Sequence, residues 1–397
     1  MLASYRRALT IPGIARVVGA VLVCYLLAGM VNLSLLTSAT HATASYTIAG
    51  TVVGAYSTAV AVTAPIWGRV VDRRGPRWTL AVTSTAQVTA FTGYITALVI
   101  NAPALGLVAA AAAAGCCTPP ASAIAKHVFA THDDPDSRRV LFAISGLFTE
   151  MVFVVGPLIV GAIVAIAHPT LTVAVTAVVS LAGVWWLRGA PAVRALTTAR
   201  DARGSAEPRR RPGLGARQLH VLTVVALGAI AIGALQVSVV AHAAHLTLNP
   251  GLFIAAMACG GVVASFAYGA SPLRGSLPAQ LAVALGLYGA LIIAVGTGPG
   301  AVISVVLLLL AGVATGPADA IEALLIANHT PGHAQSQAFA ALTTANWLGF
   351  AAGSALAGAA IDHAPLWVAT TIAAAAVLAA ALSLLVPGWR RQLLEAP

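Results

Sequence analysis

Charge is what this sequence has least of. Of its 397 residues only 8% are Asp, Glu, Lys or Arg, and just 11 are acidic. A soluble chain carries roughly a quarter charged residues to cover its surface, so a water-soluble globule is excluded. Cysteine is equally sparse. Cys24, Cys116, Cys117 and Cys259 all fall inside apolar stretches and lack zinc-site spacing. Thiols so placed behave as small hydrophobes, which argues against a disulfide framework or a metal centre. No nucleophile elbow, Walker-type phosphate loop or metal triad is present, which argues against an enzyme or an ATP-driven pump.

What the chain does have is hydrophobic length: 59% of it is apolar. A helix needs roughly 20 apolar residues to cross the ~30 Å hydrocarbon core. Segments of that size follow one another almost without a break. In lipid every backbone polar group must be paired internally, leaving helical bundles or closed barrels. Barrel strands alternate polar and apolar residues, whereas these segments are apolar all round. Polar breaks set spans at 14–38, 46–69, 79–99, 102–126, 140–166 and 170–188. A second set follows at 218–244, 250–270, 278–297, 300–326, 335–361 and 366–388. The run from Val17 to Leu36 follows Arg6, Arg7 and Arg16. It is too long for a signal peptide's apolar core and reads as a retained first span.

Twelve spans put both termini on one side, and the basic residues identify that side. Arg6, Arg7 and Arg16 precede the first span, Arg69, Arg73, Arg74 and Arg77 follow the second, and Lys126, Arg138 and Arg139 follow the fourth. Eight arginines occupy Arg188 to Arg217, Arg274 follows the eighth span, and Arg390 and Arg391 close the chain, so all 21 basic residues share one face. By the positive-inside rule that face is the cytoplasm. The expected fold is an all-α polytopic protein of the inner (plasma) membrane, multi-pass, with both termini cytoplasmic. Residues 1–188 form an N-terminal six-helix bundle, 189–217 a basic cytoplasmic linker and 218–397 a C-terminal six-helix bundle. The net charge of +10 then needs no nucleic acid, since no aromatic or folded module accompanies the arginines. The linker contacts anionic lipid headgroups instead. Trp78, Trp185, Trp186 and Trp389 lie near cytoplasmic span ends as interfacial anchors.

The chain repeats itself. At an offset of 197 residues, Ala114–Ile124 (AGCCTPPASAI) falls on Ala311–Ile321 (AGVATGPADAI). Without a gap, the same offset pairs Phe142 with Phe339, Gly156 with Gly353 and Gly161 with Gly358. Two parallel six-helix repeats are the architecture of transporters that hold substrate between halves and expose it alternately to each side. Gly50 and Gly54 on the second span, and Gly349 and Gly353 on the eleventh, let backbones approach closely where such halves would meet.

Between the second and third spans runs Gly68-Arg-Val-Val-Asp72-Arg73-Arg-Gly75-Pro76-Arg77-Trp-Thr-Leu80, a tight turn with one acid among arginines. It resembles the loop signature of the major facilitator superfamily. Gly68, Asp72, Arg73, Gly75, Arg77 and Leu80 occupy matching positions, while Val70 stands for a usual Leu and Pro76 for a usual base. The resemblance implies that Asp72 caps the facing eleventh span and that Gly68 permits close approach there, locking the cytoplasmic side. A carboxylate is favoured at a helix N-terminus. The corresponding turn in the second half keeps Gly269, Arg274 and Gly275 but no acid. On the fifth span, Gly156 and Pro157 suit a packing seam with a bend. They also resemble the Gly-Pro signature of the superfamily's antiporters, which implies export. The run Gly146–Val160 looks like actinobacterial members of the superfamily.

Polar residues inside the membrane are the sharpest sign of function, because a central carboxylate costs ~2.5–3.5 kcal/mol on the insertion scale. Three acids bear that cost: Glu150 on the fifth span, and Asp319 and Glu322 on the tenth. No Lys or Arg lies at their depth, which suits groups that carry a proton or a substrate's charge. Asn32, Tyr56, Thr118, Gln236, Asn346 and Trp347 fall at similar depth. Each can equally serve as interhelical glue. In the superfamily, spans 1, 4, 7 and 10 line the cavity and 2, 5, 8 and 11 flank it. Such a cavity suits cationic or neutral amphipathic substrates. His242 and His245 are two imidazoles without a nearby acid, too little for a metal site. Asp133, Asp134 and Asp136 lack a calcium-loop pattern and read as caps for the fifth span or partners of Arg138 and Arg139.

The expected function is therefore a secondary active transporter of the major facilitator type. It exports small amphipathic compounds by alternating access, driven by the proton gradient, with no bound cofactor. Its partners are the lipid bilayer, a small-molecule substrate and protons, and a monomer suffices. The alternatives are a proton-coupled importer of a small nutrient, and a transporter-like membrane sensor without flux.

Overall fold

The computed structural model describes residues 14–130, 135–196, 215–270, 276–298, 300–330 and 335–386. Every regular element among them is a helix. In chain order these are α1 (Ile14–Thr43), α2 (Tyr46–Arg74), α3 (Pro76–Val99), α4 (Ala104–Cys116), α5 (Ala121–Ala130), α6 (Pro135–Ile166) and α7 (Thr170–Arg188). They continue as α8 (Ala216–His245), α9 (Pro250–Ala270), α10 (Leu277–Gly296), α11 (Ala301–Thr315), α12 (Ala318–Asn328), α13 (Gln335–His363) and α14 (Leu366–Leu385). Arg6, Arg7, Arg274, Trp389, Arg390, Arg391, Asp133, Asp134 and most of the expected linker lie outside the described residues. So do the side chains of Asp72, Lys126, Asp136, Arg138, Arg139 and Glu150.

This is an all-α, polytopic membrane fold. Nine stretches among the described residues are long and apolar enough to cross a bilayer. α3, α6 and α13 are not among the nine. In α3 the reason is threonine, yet each hydroxyl is already satisfied. Thr85, Thr89, Thr92 and Thr96 donate to the carbonyls of Ala81, Thr85, Val88 and Thr92 at 2.8–3.0 Å. Back-bonding of this kind removes much of the cost of placing a hydroxyl in an apolar medium.

Two expected spans are broken. The fourth, expected over 102–126, stops at Cys116 and restarts at Ala121; the tenth, expected over 300–326, stops at Thr315 and restarts at Ala318. Pro119-Pro120 and Gly316-Pro317 interrupt them, because proline lacks the N–H that would continue the ladder. The breaks coincide with the best-matching segment of the 197-residue repeat.

By contacts the chain groups into two compact units, one of residues 1–34 and 62–208, the other of residues 35–61 and 209–397. The first half of α2 and the end of α1 therefore belong with the C-terminal half. Within the first unit α1 packs on α6: a Cβ on Gly29 would strike the carbonyl of Val152, and one on Gly156 would lie 2.5 Å from the Gly29 carbonyl carbon. Within the second unit α8 packs on α13 in the same way. A Cβ on Gly349 would strike the carbonyl of Ala226, and one on Gly353 that of Ile230. Ala226 and Gly349 stand 197 residues after Gly29 and Val152. The repeat is thus one helix crossing built twice.

Candidate functional site

Each broken helix leaves backbone carbonyls without their usual helical donors, and a neighbouring helix supplies some. At the end of α4 the Trp67 indole N–H donates to the Cys116 carbonyl at 2.6 Å. Just past α11 the Ser265 hydroxyl donates to the Gly316 carbonyl at 2.8 Å. The first donor comes from α2 and the second from α9, the same position in each half. Thr118 lies in the first break and joins a buried network. The Gln87 amide donates to its hydroxyl at 3.2 Å, and the Ser180 hydroxyl donates to the Gln87 carbonyl at 2.8 Å. This expected cavity residue thus helps fasten α3 and α7 to the break.

The second break opens directly onto the acids. Asp319 stands in the first turn of α12, and Glu322 lies one turn on. Asp319 is exposed, whereas Glu322 is buried at 7% relative exposure. Neither α11 nor α12 contains a lysine or arginine. Glu150 falls in the middle of α6. Asn32 is buried on α1, and its Oδ1 has no hydrogen-bond partner among the described residues. Tyr56 is buried on α2, Gln236 is half-buried on α8, and Asn346 is exposed on α13. Trp347 meets Phe350 edge-on, with ring centroids 6.4 Å apart. Asn32, Thr118 and Glu150 belong to the first unit, and the others to the second. His242 is buried, hydrogen-bonded to Ser304 at 2.8 Å and edge-on to Phe253, while His245 is exposed.

The arginine-bearing turn is built around Gly75. Its φ of 84° and ψ of 157° are open to glycine almost alone, and they let α3 start one residue after α2 ends. Pro76 then occupies the first helical position, where its fixed φ is an advantage and its missing N–H costs nothing. Arg74 lies over the Trp78 ring at 4.6 Å, and the Arg77 carbonyl accepts from the Arg188 side chain at 3.2 Å. Arg73 is exposed, and Asp72 occupies the last turn of α2. A Cβ on Gly68 would meet nothing within 4 Å.

The opposite end of α2 carries a contact that sequence reasoning missed. Asp362, in the last turn of α13, receives the first turn of α2. The Tyr46 and Thr47 amides each donate to its carboxylate at 2.8 Å, and the Ser45 hydroxyl donates at 2.5 Å. Amides in a helix's first turn have no partner within the helix, and the helix dipole favours an anion there. Below this cap the helices run backbone against backbone. A Cβ on Gly50 would strike the carbonyl of Ser354, one on Gly358 that of Tyr46, and one on Gly54 would lie 3.0 Å from that of Ala351. Gly50 and Gly54 therefore meet α13 as a close-approach pair should. Gly349 and Gly353 face α8 instead. Asp362 stands beyond the apolar stretch. Partial burial raises its carboxyl, but hydrogen bonds from Ser45, Thr47 and Tyr46 outweigh that and hold it below the usual carboxylate range. The available signal was an acid closing one span and Ser-Tyr-Thr opening another.

The sequence matches the family described as the Major Facilitator Superfamily over residues 17–306. None of the curated protein sequences matches it. Among solved structures, the chain is similar to a peptide transporter POT in complex with sulfate: 14% identity over 95% of this chain and 94% of that one, with a TM-score of 0.72. It is similar to the nucleoside transporter NupG at 14% identity, covering 94% of this chain and 98% of that one, TM-score 0.66. The human organic anion transporter MFSD10 (TETRAN) is 18% identical over 94% of this chain and 99% of that one, TM-score 0.64.

Proposed function

Since this chain belongs to the major facilitator superfamily and is a secondary active transporter of small molecules rather than an enzyme, we propose that it is proton-coupled and imports a small polar nutrient. One arrangement carries the reading: Glu322 buried and Asp319 exposed just past a helix break, on a segment without a cation. An acid there is costly to keep charged, so proton binding and release change the energy of the broken helix itself. Glu150 on α6 is the acid of the first half at similar depth, although the repeat pairs its position with Trp347. Uptake is supported by likeness to structures named as peptide, nucleoside and organic anion transporters, none of the three named as an efflux pump. Export of small amphipathic compounds is the second reading, favoured by Gly156-Pro157 and its backbone contact with Gly29.

The proposed frame is twelve spans in two six-helix bundles, 1–188 and 218–397, joined by 189–217. The nine apolar stretches are completed by α3, α6 and α13, with 24, 32 and 29 residues. At about 1.5 Å per residue each exceeds the ~30 Å core. The arginine-bearing ends face the cytoplasm of an inner (plasma) membrane protein, working as a monomer.

The test is purified protein in liposomes under an imposed pH gradient, screened with short peptides, nucleosides and organic cations for substrate-driven proton movement. Glu150→Gln and Asp319→Asn should each abolish coupling. Full coupled flux in both variants would reject the proton site, and movement of substrate only against the inward proton flow would select export.

A further inference from the structure

α12 carries both acids of the second half and is the shorter piece of a broken helix, 11 residues and about 16 Å long at 1.5 Å per residue. Its two ends are held in different ways, both within the second unit. At the break, backbone lies against backbone. A Cβ on Gly312 would strike the carbonyl of Met257, and one on Gly316 would lie 2.5 Å from the Gly261 carbonyl oxygen. Ser265 adds its hydrogen bond to the Gly316 carbonyl. Backbone cannot step aside as a side chain can, so the break is the fixed end.

The far end is held by one side chain. In the last turn the Leu325 and Ile326 carbonyls accept from the His329 ring and the Thr330 hydroxyl, at 2.7 and 2.6 Å. The His329 carbonyl accepts from the buried Gln218 amide on α8 at 2.9 Å. The same amide nitrogen reaches the Thr330 hydroxyl at 3.3 Å. The Gln218 side-chain oxygen meanwhile accepts from the Gly215 amide at the start of α8. One side chain therefore caps its own helix with its oxygen and holds another helix with its nitrogen.

We propose that Gln218 is a positioning residue for the acids: it fixes the swing of α12 about the Gly316-Pro317 break and so decides whether Glu322 sits in protein or in water. This role rests on the reading of Asp319 and Glu322 as the proton site. Glu322 is 7% exposed, and Ile321, Leu325 and Ile326 around it on α12 are buried at 1% or less. A rotation about the break would carry that whole face out of the core. Gln218 grips the end of α12 farthest from the break, where a bond resists rotation with the longest lever. Its oxygen is committed to Gly215, so the start of α8 and the far end of α12 move together.

Carbodiimide labelling of the full chain in lipid nanodiscs, read by peptide mass spectrometry, tests this without a substrate. A carboxyl in an apolar setting reacts with dicyclohexylcarbodiimide, and one in water with a water-soluble carbodiimide. Glu322 of the wild type, being buried, should take the first in preference. Gln218→Glu keeps an oxygen for Gly215 but offers no N–H to the His329 carbonyl, and Gln218→Met keeps the length and loses every bond. In each, the ratio of the two labels on Glu322 should move toward the water-soluble reagent roughly five- to tenfold, the shift that two interhelical hydrogen bonds hold back. Thr330→Val should move it less, since the His329 bond remains. Labelling of Glu150, in the other unit, should stay as it was. An unchanged ratio on Glu322, whatever the thermal midpoint, would reduce Gln218 to a cap of α8 and overturn its positioning role. A parallel change on Glu150 would mean general loosening and overturn it too. Gln218→Glu preserves the α8 cap, so it reports even if the Met variant does not fold. The outcome separates from that of the transport reading. A moved label without proton-coupled flux of any compound keeps the role of Gln218 and removes the proton site, and coupled flux abolished by Asp319→Asn with an unmoved label does the opposite.

Discussion

The Trp67 indole donates to the carbonyl of Cys116 at 2.6 Å, in the gap where α4 stops. This bond ties α2 to the first helix break, as Ser265 ties α9 to the second. Trp67→Phe keeps the ring and removes the donor. It should cost about 1–2 kcal/mol, the range for a part-buried carbonyl losing its partner. Ser265→Ala should cost a similar amount. The two sites lie in different units, so the double variant should show the sum. Thermal midpoints of detergent-purified protein by fluorescence size exclusion are the readout, and an unshifted Trp67→Phe would remove the bond from the account.

Gly75→Ala should destabilise the arginine-bearing turn by about 1–3 kcal/mol, because φ 84° with ψ 157° is almost closed to a residue with a Cβ. Gly68→Ala is the contrast. Nothing lies within 4 Å of the added methyl, and alanine is the better helix former by about 1 kcal/mol. Its midpoint should hold or rise. A Gly68→Ala protein that melts normally yet transports slowly would show that Gly68 serves another conformation of the cycle.

Gly156→Val should prevent recovery of monodisperse protein. The new side chain would meet the Gly29 backbone at 2.5–2.8 Å, and backbone cannot step aside as a flexible side chain can. Gly228→Val, where a Cβ meets nothing within 4 Å, is the matched control on α8 and should purify normally. Equal yields would show that α1 and α6 can separate without harm.

Gln87→Leu should lower the thermal midpoint by an amount near 1 kcal/mol. Interhelical hydrogen bonds in membranes average only about 0.6 kcal/mol, but this substitution removes two at once, one to Thr118 and one from Ser180. Transport should persist, since the network fastens helices. Loss of flux with an unchanged midpoint would instead put Thr118 in contact with substrate.

The Asp362 carboxyl is held low by its hydrogen bonds. Its hold on the first turn of α2 is therefore present above the carboxyl's ordinary value near 4 and is lost only as pH falls through the lower value of the capped state. Tyr46, whose amide it accepts from, is its titratable neighbour, and burial together with the Asp362 charge holds that phenol above its usual range and neutral across this window. Amide hydrogen exchange at residues 46–54, corrected for intrinsic rates, should be flat from pH 8 to 7 and show no fraying of the α2 start down to pH 5. Fraying near pH 6 would assign the pH dependence of that helix start to a group other than Asp362.

Much of this was legible in the residues, and the remainder has a physical cause. The apolar runs marked the helices because lipid imposes that pattern directly. The repeat at 197 was visible because Gly and Pro sit where backbones touch or break. Those same prolines, Pro119, Pro120 and Pro317, also mark the breaks, yet apolar residues on both sides made each pair of half-helices look like one span. Thr118 has the type and depth of a cavity residue. Only the arrival of Gln87 from α3 and Ser180 from α7 decides what it bonds, and helical spacing says nothing of neighbours so distant in sequence. Asp362 escaped notice because a lone acid at a helix end resembles a solvated charge. Its partners lie more than three hundred residues away.

The doubled helix crossing has a consequence for how such chains diverge. At one crossing Gly29 faces Val152; at its counterpart Ala226 faces Gly349. What each crossing requires is one missing methyl group, and it does not matter which helix omits it. After a duplication either copy is free to move that omission from one helix to the other through a glycine–glycine intermediate, with no change in the distance between axes. Residue-by-residue likeness between the halves then decays faster than likeness of form, and kinship between such halves is better judged at pairs of touching positions than at single ones.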